Sequence, residues 1–152
     1  PGRAAERFRP ATAGLPDPLR RRGRPTMTEA AFKPTVYLKA GCPFCFKVRL
    51  FLLETGQLDR ADLREFVPGD AEETSIRSRL APAVETVTFP TAELAPGRFT
   101  TESDAIVAHF AERAGVAPDA LPTYQAYLGG VFKNLQSLYR ENMELKNRSR
   151  TA

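Results

Sequence analysis

The chain is poor in metal-ligating side chains: its 152 residues include two cysteines and one histidine. A structural zinc site takes four Cys or His ligands, so that chemistry is excluded, and no metal is expected. So few cysteines also exclude the disulfide framework of a small secreted domain. Nothing in the sequence approaches the run of about 20 apolar residues needed to cross a bilayer. There is no secretory h-region and no internal repeat. The expectation is a cytoplasmic protein with no membrane role.

Basic charge is also scarce where it would matter. The formal net charge is +4, yet Arg3, Arg7, Arg9, Arg20, Arg21, Arg22 and Arg24 against Glu6 and Asp17 place +5 in residues 1–26, which leaves −1 for the rest. A nucleic-acid interface needs a basic patch on a folded surface, so no nucleic-acid partner is expected. Residues 1–26 hold five of the 13 prolines and three of the 10 glycines, with Phe8, Leu15 and Leu19 as their only large apolar residues. Such a segment cannot offset its ordering entropy, and residues 1–34 read as a disordered basic leader. A translated leader or remnant, an organelle transit peptide and a basic arm compete as explanations. Transit peptides are amphipathic and Ser-rich, and this segment is neither.

What is present is Cys42-Pro43-Phe44-Cys45, directly after the apolar run Val36-Tyr37-Leu38. Between a strand and a helix this spacing is a redox motif. Cys42 falls just before the first helical turn, with Pro43 at the first helical position, where a missing N–H costs nothing. The unpaired N–H groups and the dipole of the helix favour thiolate over thiol. Cys42 reads as a nucleophile and Cys45, one turn later, as a resolving thiol or a packed side chain.

From residue 35 strand and helix patterns alternate. Val36–Lys39 reads as a strand and Pro43–Glu54 as a helix closed by Gly56. Its apolar residues fall on two sides, Phe44, Val48, Phe51 and Leu52 against Phe46, Leu50 and Leu53, so both sides need cover. Leu63–Val67 reads as a second, parallel strand and Glu72–Leu80 as a weak helix. Thr91–Leu94 and Arg98–Thr100 flank Ala95-Pro96-Gly97 as a hairpin. Ile106, Val107, Phe110 and Ala114 form a helical stripe stopped by Gly115. Beyond it, Tyr124, Leu128, Val131, Leu135 and Leu138 predict one amphipathic helix that bends at Gly129-Gly130 and covers helix 43–54. The domain reading is therefore 1–34 leader, 35–115 α/β domain and 116–152 helical extension.

The β-α-β-α-β-β-α order with Cys42-Pro43-Phe44-Cys45 at the first helix resembles the thioredoxin fold, a mixed four-stranded sheet here followed by a C-terminal amphipathic helix. More narrowly, Lys39 to Cys45 with Lys47-Val48-Arg49, Thr88-Phe89-Pro90, and Thr101-Glu102-Ser103-Asp104-Ala105-Ile106 look like glutaredoxins and the N-terminal domain of glutathione S-transferases. Three motifs in order on matching elements are specific where Cys-x-x-Cys alone is not. Two departures stand out: the Gly-Gly pair of glutaredoxins before the last helix is missing, and residues 116–152 supply one long helix or two short ones instead of a transferase's helical second domain.

The resemblance implies glutathione as cosubstrate, with Cys42 and Cys45 catalytic and Lys39, Phe44, Phe89, Pro90, Glu102 and Ser103 in its binding site. Pro90 resembles the cis-proline of the fold, so the Phe89 backbone would pair with the cysteinyl part of glutathione. Glu102 would take the γ-glutamyl ammonium, and Ser103, at a helix start, its carboxylate; simple capping by Thr101 or Ser103 is the alternative. Lys39 would attract the glycyl carboxylate. His109 reads as structural. The leading function is a glutathione-dependent thiol–disulfide oxidoreductase acting on glutathionylated or disulfide substrates. Alternatives are a minimal glutathione transferase and a non-catalytic glutathione-binding module whose C-terminal helix docks a partner or a second copy. Iron–sulfur ligation is disfavoured by Pro43 beside Cys42.

Overall fold

The structure, a computed structural model, describes residues 32–151. The expected leader disorder falls mostly outside the described residues. Pro34 itself is buried, and its carbonyl accepts from the Asp62 N–H at 2.8 Å. The order is β1 (Thr35–Lys39), α1 (Pro43–Glu54), β2 (Asp62–Phe66), α2 (Ala71–Leu80), β3 (Thr91–Ala95), β4 (Arg98–Thr100), α3 (Ser103–Ala114) and α4 (Pro122–Tyr127). A π turn (Leu128–Phe132) then leads into α5 (Lys133–Thr151). The sheet runs β2-β1-β3-β4, with β1 parallel to β2 and antiparallel to β3. This is the mixed four-stranded, thioredoxin-like arrangement expected.

Strand β1 explains the layering. Its central residues are buried on both faces, as suits a strand covered on each side. Val36 and Leu38 join Val48, Phe51 and Leu52 of α1 and Ile106 and Phe110 of α3 in one core. Tyr37 points the opposite way, into a smaller core with Phe66, Ile76 and Leu80 beneath α2. Helix α2, polar over most of its length, is fixed at its start by side-chain caps: the N-cap Asp70 accepts from the Glu73 N–H, and Glu73 accepts from the N–H of Gly69, just before the cap, both at 2.8 Å. Helix α3 ends as predicted, with Gly115 in the left-handed region at φ 65°.

Two expectations are corrected. The first is the division of α1 into two buried sides. Leu50, Val48, Phe51 and Leu52 are buried, but Phe44, Phe46 and Leu53 are exposed at 41%, 49% and 58%. Covering α1 falls to α3 and to the short α4, not to a long helix. The second is the C-terminal helix itself. Tyr124 and Phe132 are buried, whereas Val131, Leu138 and Tyr139 are more than 60% exposed. The backbone stays helical through Gly129-Gly130, where the expected bend is replaced by a π turn. A π turn holds more residues than an α turn, so it rotates the downstream apolar stripe away from the body.

Helix α4 is fastened from outside. It begins at Pro122 with no side-chain cap of its own. The Glu54 carboxylate, at the far end of α1, accepts from the backbone N–H groups of Thr123 (2.9 Å) and Tyr124 (2.7 Å). Tyr124 then meets Phe51 edge-on, with ring centroids 5.5 Å apart.

Three variants test this account of stability. Ending the chain after Gly115 lowers Tm severely. Each buried aromatic such as Tyr124 removes about 150–250 Å² from water, worth several kcal/mol at about 25 cal/mol per Å². Ending it after Asn134, beyond the last buried residue of the segment, leaves Tm nearly unchanged in a thermal melt of dilute protein, where copies of the chain do not associate. Glu54→Ala also lowers Tm, with a pH signature. Burial raises the Glu54 pKa, but the two N–H donors outweigh it and hold the folded value below 4.5. A depressed carboxylate stabilises fully above the unfolded value, so the gap between wild type and Glu54→Ala is complete above pH 4.5 and closes as pH falls through the folded value.

Candidate functional site

The turn from β1 into α1 builds the site. Gly41 takes φ 73°, a conformation that L side chains rarely adopt, and lets the Cys42 N–H return to the Lys39 carbonyl at 3.2 Å. Cys42 is the N-cap of α1, with Pro43 at the first helical position, and its Sγ accepts from the Cys45 N–H at 3.5 Å. Across the site, the Phe89–Pro90 peptide bond is cis, and in its thiol form Cys42 donates to the Phe89 carbonyl at 3.7 Å. Strand, helix start and cis-proline loop thus converge on one half-buried sulfur.

The two cysteines are electrostatically unlike. The Cys45 thiol, as hydrogen-bond partner, does most to stabilise the Cys42 thiolate. Partial burial opposes this, while the N–H groups of Cys45 and Phe44 and the Lys39 ammonium assist. The balance brings Cys42 from 9.0 down to about 6. Cys45 is buried, accepts from the Lys39 N–H at 3.3 Å, and is pushed well above the ordinary thiol range by its bond to Cys42 and by burial. Cys42 is therefore largely thiolate at neutral pH, and Cys45 a thiol.

A cavity of about 430 Å³ opens beside Cys42, lined by Lys39, Cys45, Phe46, Arg49, Glu65, Tyr127 and Val131 among others. Arg49 and Glu65 pair across its wall at 2.7 Å. The Tyr127 hydroxyl donates to the Pro43 carbonyl at 2.9 Å, and its pKa is raised by burial and by the Cys42 charge. Tyr127 lies outside the residues predicted for the site; its partner is 84 positions away, and nothing local marks it.

The remaining predicted residues do not share that cavity. Glu102 lines a separate depression of about 530 Å³ with Thr88, Thr101 and Phe99. Glu102, not Thr101 or Ser103, occupies the N-cap of α3, with no side-chain cap bond. Ser103 is the first helical residue and is buried, and its hydroxyl accepts from Lys47 Nζ at 3.4 Å. Phe44 turns toward Phe132, centroids 5.0 Å apart, rather than into the cavity. Phe89 packs edge-on against Phe66 at 4.7 Å.

Lys47 was not foreseen in any role. It is buried, paired with Asp104, bonded to Ser103, and sits over the Phe132 ring at 5.6 Å. A buried ammonium needs such partners, and their location on α3 and the π turn is invisible in sequence. His109 packs edge-on to Phe110, and its buried Nε2 has no hydrogen-bond partner among the described residues. Burial lowers its pKa, consistent with a neutral structural ring. Among the described residues no cluster of three or more His, Cys, Asp or Glu could hold a metal, and no helix is long and apolar enough to cross a membrane.

Alkylation by iodoacetamide, followed against pH, is expected to titrate Cys42 with a midpoint near 6 and to leave Cys45 unmodified. Cys45→Ala removes the main stabiliser of the thiolate and moves the midpoint upward; Lys39→Met moves it upward by less.

One solved structure, described as a possible glutathione S-transferase from Rhodopseudomonas palustris, is 24% identical with a TM-score of 0.43 over 57% of this chain and 42% of its own. A glutathione S-transferase from the Antarctic clam Laternula elliptica is 25% identical with a TM-score of 0.44, over 57% of this chain and 37% of its own. The chain thus spans less than half the length of either. No curated protein sequence matches it. Residues 36–118 match the family described as glutathione S-transferase, N-terminal domain. That match takes in nearly all of β1, the Cys42 turn, the cis-proline and the whole of α3, and the chain belongs to the glutathione S-transferase N-terminal domain family.

Proposed function

We propose that this protein is a glutathione-dependent thiol–disulfide oxidoreductase. The observation that carries the reading is the pairing of a half-buried Cys42, with its pKa lowered to about 6, with a second, protonated cysteine one turn away. A transferase that only binds and activates glutathione has no need of the second thiol.

In the proposed reaction the Cys42 thiolate attacks the glutathione sulfur of a mixed disulfide. The new bond joins Cys42 to glutathione, and the substrate leaves as a thiolate that takes a proton from solvent. A second glutathione, as thiolate, then attacks the glutathione sulfur held on Cys42, which forms glutathione disulfide and returns the Cys42 thiolate. Alternatively Cys45 loses its proton and attacks Cys42, expelling glutathione. Burial of Cys45, which persists when Cys42 carries glutathione, disfavours its thiolate and favours the external route.

For glutathione itself, we place the cysteinyl backbone against Phe89 and Pro90, and the γ-glutamyl end toward Glu102 and the start of α3. Lys39 serves the glycyl carboxylate. The arrangement of Phe89 within reach of Cys42 supports this pose. Ser103 would contribute mainly its backbone N–H, because its hydroxyl is engaged by Lys47.

A second reading, conjugation of glutathione to an electrophile, has one feature in its favour. The cavity beside Cys42 has an aromatic and aliphatic wall in Phe46, Tyr127 and Val131. Two assays separate the readings: reduction of a glutathione mixed disulfide and conjugation to an aryl halide. Turnover in the first with little in the second is expected. Cys42→Ser abolishes it, and Cys45→Ser keeps substantial turnover because glutathione replaces the resolving thiol. A protein active only in conjugation, or one in which Cys42→Ser stays active, overturns the proposal.

A further inference from the structure

Helix α5 leaves the body with an apolar seam that nothing among the described residues covers. Val131, Leu138 and Leu145 are exposed at 66%, 62% and 63%, and Leu135 at 43%. Their order is Val131, Leu135, Leu138, Asn142, Leu145, Ser149, at alternating steps of four and three residues. This is a heptad register with Leu135, Asn142 and Ser149 at a, and Val131, Leu138 and Leu145 at d. Residues at a and d that repeat every 3.5 positions form the seam of a coiled coil, a narrower stripe than a helix laid on its own core needs.

We infer that the seam pairs with a second copy of this chain as a short, parallel, two-stranded coiled coil over residues 133–149, with Val131 of the π turn just ahead of it. Three features select that occupant. Asn142 is the single amide at an a position inside the leucine seam, and a lone Asn at a is the device that fixes register and two-stranded state, because two copies satisfy each other across the dyad. The flanks are self-complementary: Glu141 at g faces Lys146 at e of the other copy in a parallel pair. An antiparallel pair centred on the same stretch would instead set g against g and bring Glu141 against itself. The body also leaves room. Phe132, which packs on the body, follows Val131 by one residue and so points to a different side of the helix, which puts the domain beside the seam and not across it.

Pairing reaches the site. Val131 heads the seam and also lines the cavity beside Cys42, so a second helix seated there becomes part of that cavity's rim. The inference does not depend on which reaction Cys42 performs.

Sedimentation equilibrium on the full chain under reducing conditions tests it. The seam is short and carries an amide, so a reversible dimer is expected, with a dissociation constant on the order of 10 μM. Leu138→Glu places a charge in the seam and weakens the dimer by at least about tenfold. Its circular dichroism should be unchanged, because Leu138 is 62% exposed in the single copy. Glu141→Lys and Lys146→Glu each weaken the dimer about threefold at low salt, and the double reversal returns it to within about twofold. These two positions are five apart and are not neighbours on one helix, so rescue must act between copies. A monomer at all concentrations up to about 500 μM, fifty times the expected constant, overturns the inference. So does a dimer indifferent to Leu138→Glu, or a double reversal that fails to rescue.

Discussion

Helix α1 is the member on which everything else hangs. Its first turn holds the Cys42 sulfur, its middle carries the buried Lys47 that ties down the start of α3, and its last residue caps α4. These are three separate jobs at three heights of a 12-residue rod. Because a helix rises about 1.5 Å per residue and resists bending, it transmits position between them.

The environment of that sulfur is an uneven contest. Burial alone would keep Cys42 protonated. It is overcome by the neighbouring thiol, two backbone N–H groups and one ammonium, all fixed by the turn geometry before any ligand arrives. The same bond works against Cys45, whose raised pKa is the counterpart of its neighbour's lowered one. One hydrogen bond therefore sorts two identical side chains into nucleophile and reserve.

Much of this was legible in the sequence, and the division has a physical basis. Strand β1, helix α1, the hairpin and the Gly115 stop are set by residues near one another, and local chemistry reads them well. The N-cap role of Cys42 follows from Pro43 alone. The cis bond at Pro90 was legible only through resemblance, since no local property of Phe89-Pro90 demands it. The fate of the C-terminal stripe was not legible. A helical apolar period looks the same whether its own body covers it or not, and the π turn that decides the matter arises at a glycine pair with two readings. Lys47 was opaque for a related reason: a lysine among Leu, Val and Phe reads as solvated unless its distant partners, Ser103 and Asp104, are known. The separation of Glu102 from the Cys42 cavity depends on how the loop before Pro90 packs, which no spacing reports.

The Lys47 cluster has a consequence for any anion that approaches the start of α3. A bare helix start offers a ligand a partial positive charge and open donors. Here a full ammonium lies just beneath that surface, but Asp104 already holds it from the solvent side, where that carboxylate is 86% exposed. An incoming carboxylate therefore arrives as a rival to a resident one. To reach that ammonium, a second carboxylate would have to share it with Asp104 or displace it.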